Sequence, residues 1–174
     1  MSGANALDLL DIALSNEKME MEFFLHHATK IQNPLEKEIF QEYADEVRKN
    51  YLRLKTLKES ISKKASKQSV AEPSQDSAII DFDYEEKLTR DIDRALADYD
   101  DFRVIEAASD LLETIAEFFT RHSETLSDPT GKELFKAIAD IKRENLLHLK
   151  DIEEYLKDPG SWFAELEHHG LDGA

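Results

Sequence analysis

Apolar residues recur at three- and four-residue steps along four long stretches, and each stretch predicts an amphipathic helix with one buried face. Over 5–30 that face is Leu10, Ala13, Leu14, Glu17, Met21, Phe24 and Ala28, carried on to Ile31. Over 34–61 it is Phe40, Tyr43, Ala44, Val47, Asn50, Tyr51, Leu54 and Leu57. A third stripe, over 101–127, holds Ile105, Ala108, Leu112, Ile115, Phe119 and His122. The fourth, over 129–156, holds Phe135, Ile138, Ala139, Lys142, Asn145, Leu149 and Ile152. Polar residues therefore interrupt the buried stripes near their middles: Glu17, Asn50, Lys142 and Asn145. Asn33-Pro34 and Asp128-Pro129 start the second and fourth helices. Asn and Asp cap a helix through a side-chain oxygen, and proline fits the first helical position because its missing N–H has no partner there anyway. Asp158-Pro159-Gly160 stops the last helix.

Between the second and third stripes the text changes to SISKKASKQSVAEPSQDS, without apolar periodicity. It reads as a flexible crossover, about 60–83 including a short apolar patch, followed by a short helix over 84–97. The expected domain is one bundle over 1–157. A tail over 158–174 would pack Trp162 and Phe163 onto the bundle, or dock them with Leu166 and Leu171 onto a partner chain.

A shift of 95 residues lays the first half on the second without a gap. Phe23-Phe24 meets Phe118-Phe119, His27 meets His122, and Pro34 meets Pro129. Phe40 meets Phe135, Ala44-Asp45 meets Ala139-Asp140, Arg48 meets Arg143, Asn50 meets Asn145 and Leu54-Lys55 meets Leu149-Lys150. A duplicated helical hairpin accounts for this. The fold class expected is all-α: an antiparallel four-helix bundle built from two repeated hairpins. A crossover of about 24 residues can run back along a helix that rises about 1.5 Å per residue.

Composition narrows the chemistry. There are 22 Lys and Arg against 38 Asp and Glu, a formal net charge of −16. Such a surface repels phosphate backbones and anionic lipid, so neither nucleic acid nor a membrane is an expected partner. The absence of cysteine excludes disulfides, thiolate metal sites and thiol catalysis. No run of 18 apolar residues and no secretory pattern is present, so a cytoplasmic protein is expected. Neither a dinucleotide nor a P-loop fingerprint occurs, and no Ser/His/Asp nucleophile set suggests itself.

The helix pattern, the Asn/Asp-Pro turns, the Phe-Phe pair and the Ala-Asp-x-x-Arg-x-Asn pattern together resemble the ferritin-like superfamily, and within it the rubrerythrin-type di-iron domains. The resemblance covers the chain apart from the crossover and tail. It implies two irons in the bundle core, one Glu from each odd helix and Glu-x-x-His from each even one. Carboxylates suit the charge of the irons, and imidazole completes their shells. Carried over residue by residue, those positions fall on Glu17 and Leu112 in the odd helices, on Val47 and Asn50 in the second, and on Lys142 and Asn145 in the fourth. Of the six, only Glu17 keeps the family's residue type. The four-cysteine electron-transfer module of peroxide-reducing rubrerythrins is missing as well.

The site expected in place of the metals is a buried polar cluster. Glu17 and Lys142 point at one spot, with Asn50 and Asn145 beside them. A carboxylate in a dry core must find a counter-charge or take a proton. The alternative is a Lys142 that snorkels to solvent with Glu17 at the bundle edge. Glu20, Glu22, Glu113 and Glu117 read as solvated acidic faces, although a rescued metal site using Glu17, Glu20 or Glu113 is the competing reading. His27 and His122 read as boundary histidines at opposite ends of the bundle. His26-His27 and the tail's Glu165, Glu167, His168 and His169 offer at most adventitious metal binding. The resulting functional expectation is a non-catalytic structural, regulatory or partner-binding module without a cofactor, and family analogy makes a homodimer plausible. The alternative is an iron or manganese oxidoreductase with a rearranged site.

Overall fold

The structure is a computed structural model that describes residues 3–68 and 101–158. Four helices fill those residues: α1 (Gly3–Ala28), α2 (Pro34–Gln68), α3 (Asp101–Ser123) and α4 (Pro129–Lys157). The expected tail beyond Asp158, the short helix over 84–97 and most of the crossover lie outside the described residues.

The starts of α2 and α4 follow from the local sequence. Asp128 sits in extended backbone (φ −77°, ψ 120°) and its Oδ2 accepts from the Gly131 N–H at 2.9 Å. Asn33 does the same for α2, its Oδ1 accepting from Leu35 N at 3.0 Å while its Nδ2 donates to Glu36 Oε1. Replacing Asp128 by alanine removes the cap and the contact with Lys64 at 3.3 Å. An expected loss of ~1 kcal/mol, read from urea unfolding, follows from the cap. No change in midpoint would show that Pro129 alone sets the helix start.

Two boundaries differ from the sequence pattern. α2 continues to Gln68, well past the expected exit near 60. Ile61 still falls on the buried face, and the Lys, Ala and Gln residues that follow are good helix formers with no proline or glycine to stop them. α3 ends at Ser123, earlier than expected; the Thr125 N–H bonds back to the His122 carbonyl and the chain turns toward Pro129.

Contacts between helices fix the topology. Phe24 packs on Phe40 and Asp11 pairs with Lys58, so α1 and α2 are antiparallel. Phe119 packs on Phe135, and Lys157 lies over the Phe102 ring at 5.5 Å, so α3 and α4 are antiparallel too. Between hairpins, Tyr43 meets His148 and Lys64 meets Asp128, an antiparallel α2/α4 seam. Lighter packing joins α1 to α3, while α1 and α4 stand diagonally opposite. It follows that α2 and α3 are parallel, and that the end of one and the start of the other lie at opposite ends of the bundle. This is the all-α four-helix bundle of two hairpins that the repeat predicts.

The repeat survives in the packing, ring by ring. Phe23 and Phe24 meet at 5.4 Å and 82°, Phe118 and Phe119 at 5.3 Å and 86°. Phe23 and His27 are 4.6 Å apart, Phe118 and His122 4.7 Å. The core around them is apolar and continuous, from Leu10 and Phe24 through Val47 and Leu54 to Leu112, Phe119, Phe135 and Leu149. Offset and edge-on ring contacts of this kind add to plain burial.

Candidate functional site

At the middle of the bundle the apolar core is interrupted by charge. Glu17 and Glu20, one turn apart on α1, and Lys142, on α4, are all 0% exposed. Spacing by three residues puts both carboxylates on one face of α1. The lysine stem spans the bundle diagonal and brings its ammonium between them. Lys142 Nζ lies 3.2 Å from Glu17 and donates to Glu20 Oε1 at 2.9 Å. One oxygen of each carboxylate, Glu17 Oε1 and Glu20 Oε2, receives no aligned hydrogen bond although both are within ion-pair reach.

Two carboxylates share one ammonium in a dry interior, and their proton affinities respond. Desolvation pushes Glu17 up to about 8, with Lys142 opposing and Glu20 reinforcing the rise. Glu20 is raised for the same reason, burial, against the same pull from Lys142. Burial also drags the Lys142 ammonium down, but Glu17 and Glu20 outweigh it and hold it above the ordinary lysine value. The lysine therefore stays charged.

The expected pairing of Glu17 with Lys142 is thus what the geometry has, and the snorkelling alternative is not. Glu20 corrects the sequence expectation: it does not lie on a solvated face but is a full member of the cluster. Its i, i+3 relation to Glu17 was the available signal. Glu22, Glu113 and Glu117 are exposed, as expected of acidic faces. Asn50 is fully buried beside Glu17, as expected of the cluster, and pulls the Glu17 pKa down a little, although neither its amide nitrogen nor its oxygen makes an aligned hydrogen bond. Asn145 departs from the expected cluster. It is half-buried and donates to Glu46 Oε2 at 2.7 Å across the α2/α4 seam. That seam also holds Tyr43, whose hydroxyl donates to the Asn145 carbonyl at 3.3 Å and lies 2.9 Å from His148 Nδ1. Burial, then Glu46 and Glu42, raise the Tyr43 phenol and keep it protonated. Glu46 and His148 were not singled out in the sequence, because each lies one step off the apolar stripe.

His27 is a second correction. It is not a boundary residue: its ring is 0% exposed against Phe23, and neither ring nitrogen has a partner. The Lys30 and Ile31 N–H groups both return to its carbonyl. Burial, then His26, lower its pKa to about 4, so the ring is neutral near pH 7. Its twin His122 is half-buried, as expected.

The residues at the six carried-over positions do not suit a pair of irons. Val47 and Leu112 offer no donor atom, and both are buried. Lys142 presents a charged ammonium, and an amide such as Asn50 is a poor ligand beside imidazole. Among the described residues no group of three or more His, Asp or Glu side chains has the spacing to hold a metal ion. Among the same residues no helix is long and apolar enough to cross a membrane.

No protein-family model matches the chain, and no curated protein matches it. A solved structure does: a hypothetical protein from Pyrococcus furiosus, aligned over 87% of this chain and 90% of that one, with a TM-score of 0.61 and 23% identity. At that identity the likeness is one of fold.

Proposed function

We propose that this chain is a ferritin-like module of the rubrerythrin type in which an internal ion pair has taken the place of the di-iron centre, and that it serves as a structural, regulatory or partner-binding protein. One observation carries the reading: the Lys142 ammonium lies between Glu17 and Glu20, completely buried, where the resemblance would put metal. A lysine held charged there repels a divalent cation and satisfies the carboxylates that would bind it. The substitutions are also complementary. At Val47 and Leu112 the side chains are buried members of the apolar core.

A rearranged iron or manganese oxidoreductase is the competing reading. It would have to draw on Glu17, Glu20 or Glu113, yet Lys142 engages the first two and the third is exposed. A homodimer belongs to the proposal on family analogy, and a partner docked through the tail belongs to it on the tail's apolar Trp162, Phe163, Leu166 and Leu171.

Metal analysis separates the two readings. Protein purified anaerobically and challenged with ferrous iron or manganese, then desalted, is expected to retain well under one equivalent. Retention of about two tightly bound equivalents would overturn the proposal.

A further inference from the structure

The 95-residue repeat poses a problem of self-recognition. Two hairpins that share a repeated Phe cluster can each pair with the other, or with a second copy of themselves from another chain. The shared rings have nearly the same geometry, with Phe23–Phe40 at 6.3 Å and Phe118–Phe135 at 6.4 Å, and although Tyr43 packs on Phe24 where the second hairpin has Ile138, the shared aromatic pairs do not tell the hairpins apart. The middle layer does. The repeat equivalents of Glu17, Glu20 and Lys142 are Leu112, Ile115 and Val47, and all six side chains are buried.

We infer that the Glu17–Glu20–Lys142 cluster is a pairing code that admits only unlike hairpins. In the native bundle the acids of α1 meet the ammonium of α4 across the diagonal. Two first hairpins brought together would place Glu17 and Glu20 of each against Val47 of the other, burying four carboxylates without a cation. Two second hairpins would bury two ammonium groups against Leu112 and Ile115. Either mispairing leaves a dry core with ammonium groups that have no acid, or with carboxyl groups that must take up protons and find no partner, and both are far more costly than the native cluster. A buried polar group that fixes which helices associate is the best-attested use of such pairs. The code constrains pairing and not connectivity. Exchange of hairpins between two chains is permitted, provided that a first hairpin meets a second. The inference stands on the pairing geometry, whatever the module binds.

Two full-length variants test it. Glu17→Leu/Glu20→Ile leaves Lys142 without acids, and Lys142→Val leaves the acids without a cation. Folded alone, each has a mismatched centre. Unfolded together and refolded, they can exchange hairpins so that one centre is wholly apolar and the other regains the full cluster. The expected result is a 1:1 heterodimer, captured through a tag on one variant and at least tenfold above a tagged and untagged wild-type control, that melts near the wild-type temperature. Two mismatched centres oppose the millimolar effective concentration of the tethered hairpin. The triple variant Glu17→Leu/Glu20→Ile/Lys142→Val, folded alone, shows that the apolar centre packs. Failure of either variant to fold by itself leaves the rescue readable. Co-refolding that yields no complex above the control overturns the inference.

Discussion

Replacing Lys142 by methionine is expected to destabilise the bundle by ~3–5 kcal/mol at pH 8, the cost of breaking a fully buried ion pair from one side. Methionine matches the lysine stem closely in length, so the packing term is small and the loss is electrostatic. Glu17 and Glu20 would then face each other without a counter-charge, both at 0% exposure. Acid offers them an escape. A protonated carboxyl is neutral, and the two groups already hold protons more tightly than solvent-exposed acids do. The deficit should accordingly shrink at pH 5. Urea unfolding at the two pH values measures it. A variant within 1 kcal/mol of wild type at both would mean that the ammonium does not compensate the acids.

The wild-type protein should be most stable in mildly acidic solution and lose stability as pH rises from about 6.5 to 8. The sign follows from proton counting. Glu17 has a folded value of about 8 against an ordinary 4.5, so the folded state holds a proton that the unfolded chain releases in between. Its contribution is complete below 4.5 and is lost on the way up to 8. Glu20, also raised, acts in the same direction. His27 works the other way. Lowered from 6.5 to about 4, it contributes above 6.5 and costs stability as pH falls toward 4. Between 4.5 and 6.5 the slopes oppose each other, and above 6.5 only the glutamates remain. Melting temperatures at unit pH steps should show the decline. Glu17→Gln should flatten the alkaline limb and His27→Phe the acid one. A wild-type melting temperature that climbs from pH 6.5 to 8 would contradict the assignment.

Much of this was legible along the chain because helices advertise their buried faces. Leu10, Phe24, Phe40, Val47, Leu112, Phe119 and Phe135 all lie where the stripes put them. The polar interruptions were legible too, since a charge in a buried stripe stands out against its neighbours. What escaped was local in another sense. Glu20 is a turn away from Glu17 and looks like any surface acid until a lysine on another helix reaches it. His27 and His122 occupy equivalent positions, yet only His27 is sealed. Whether a ring is sealed depends on what packs around it and not on the ring's place in a repeat. The extent of α2 was hidden for a third reason, because Lys, Ser and Gln spell a solvated helix and a linker in nearly the same letters.

The sequence by itself determined the four helices, the duplication that generates them, and the polar residues that interrupt their buried faces at the centre. These depend on periodicity and residue chemistry, which are written along the chain. Only the tertiary structure decided how the central charges are satisfied. Pairing Glu17 and Glu20 with a single Lys142 more than a hundred residues away requires the bundle diagonal, a distance that no local pattern encodes. The same holds for Asn145, which on its stripe points inward and in the folded chain is drawn aside to Glu46. Spacing along a helix fixes the direction in which a side chain leaves the backbone, and the partner helix fixes what it finds there.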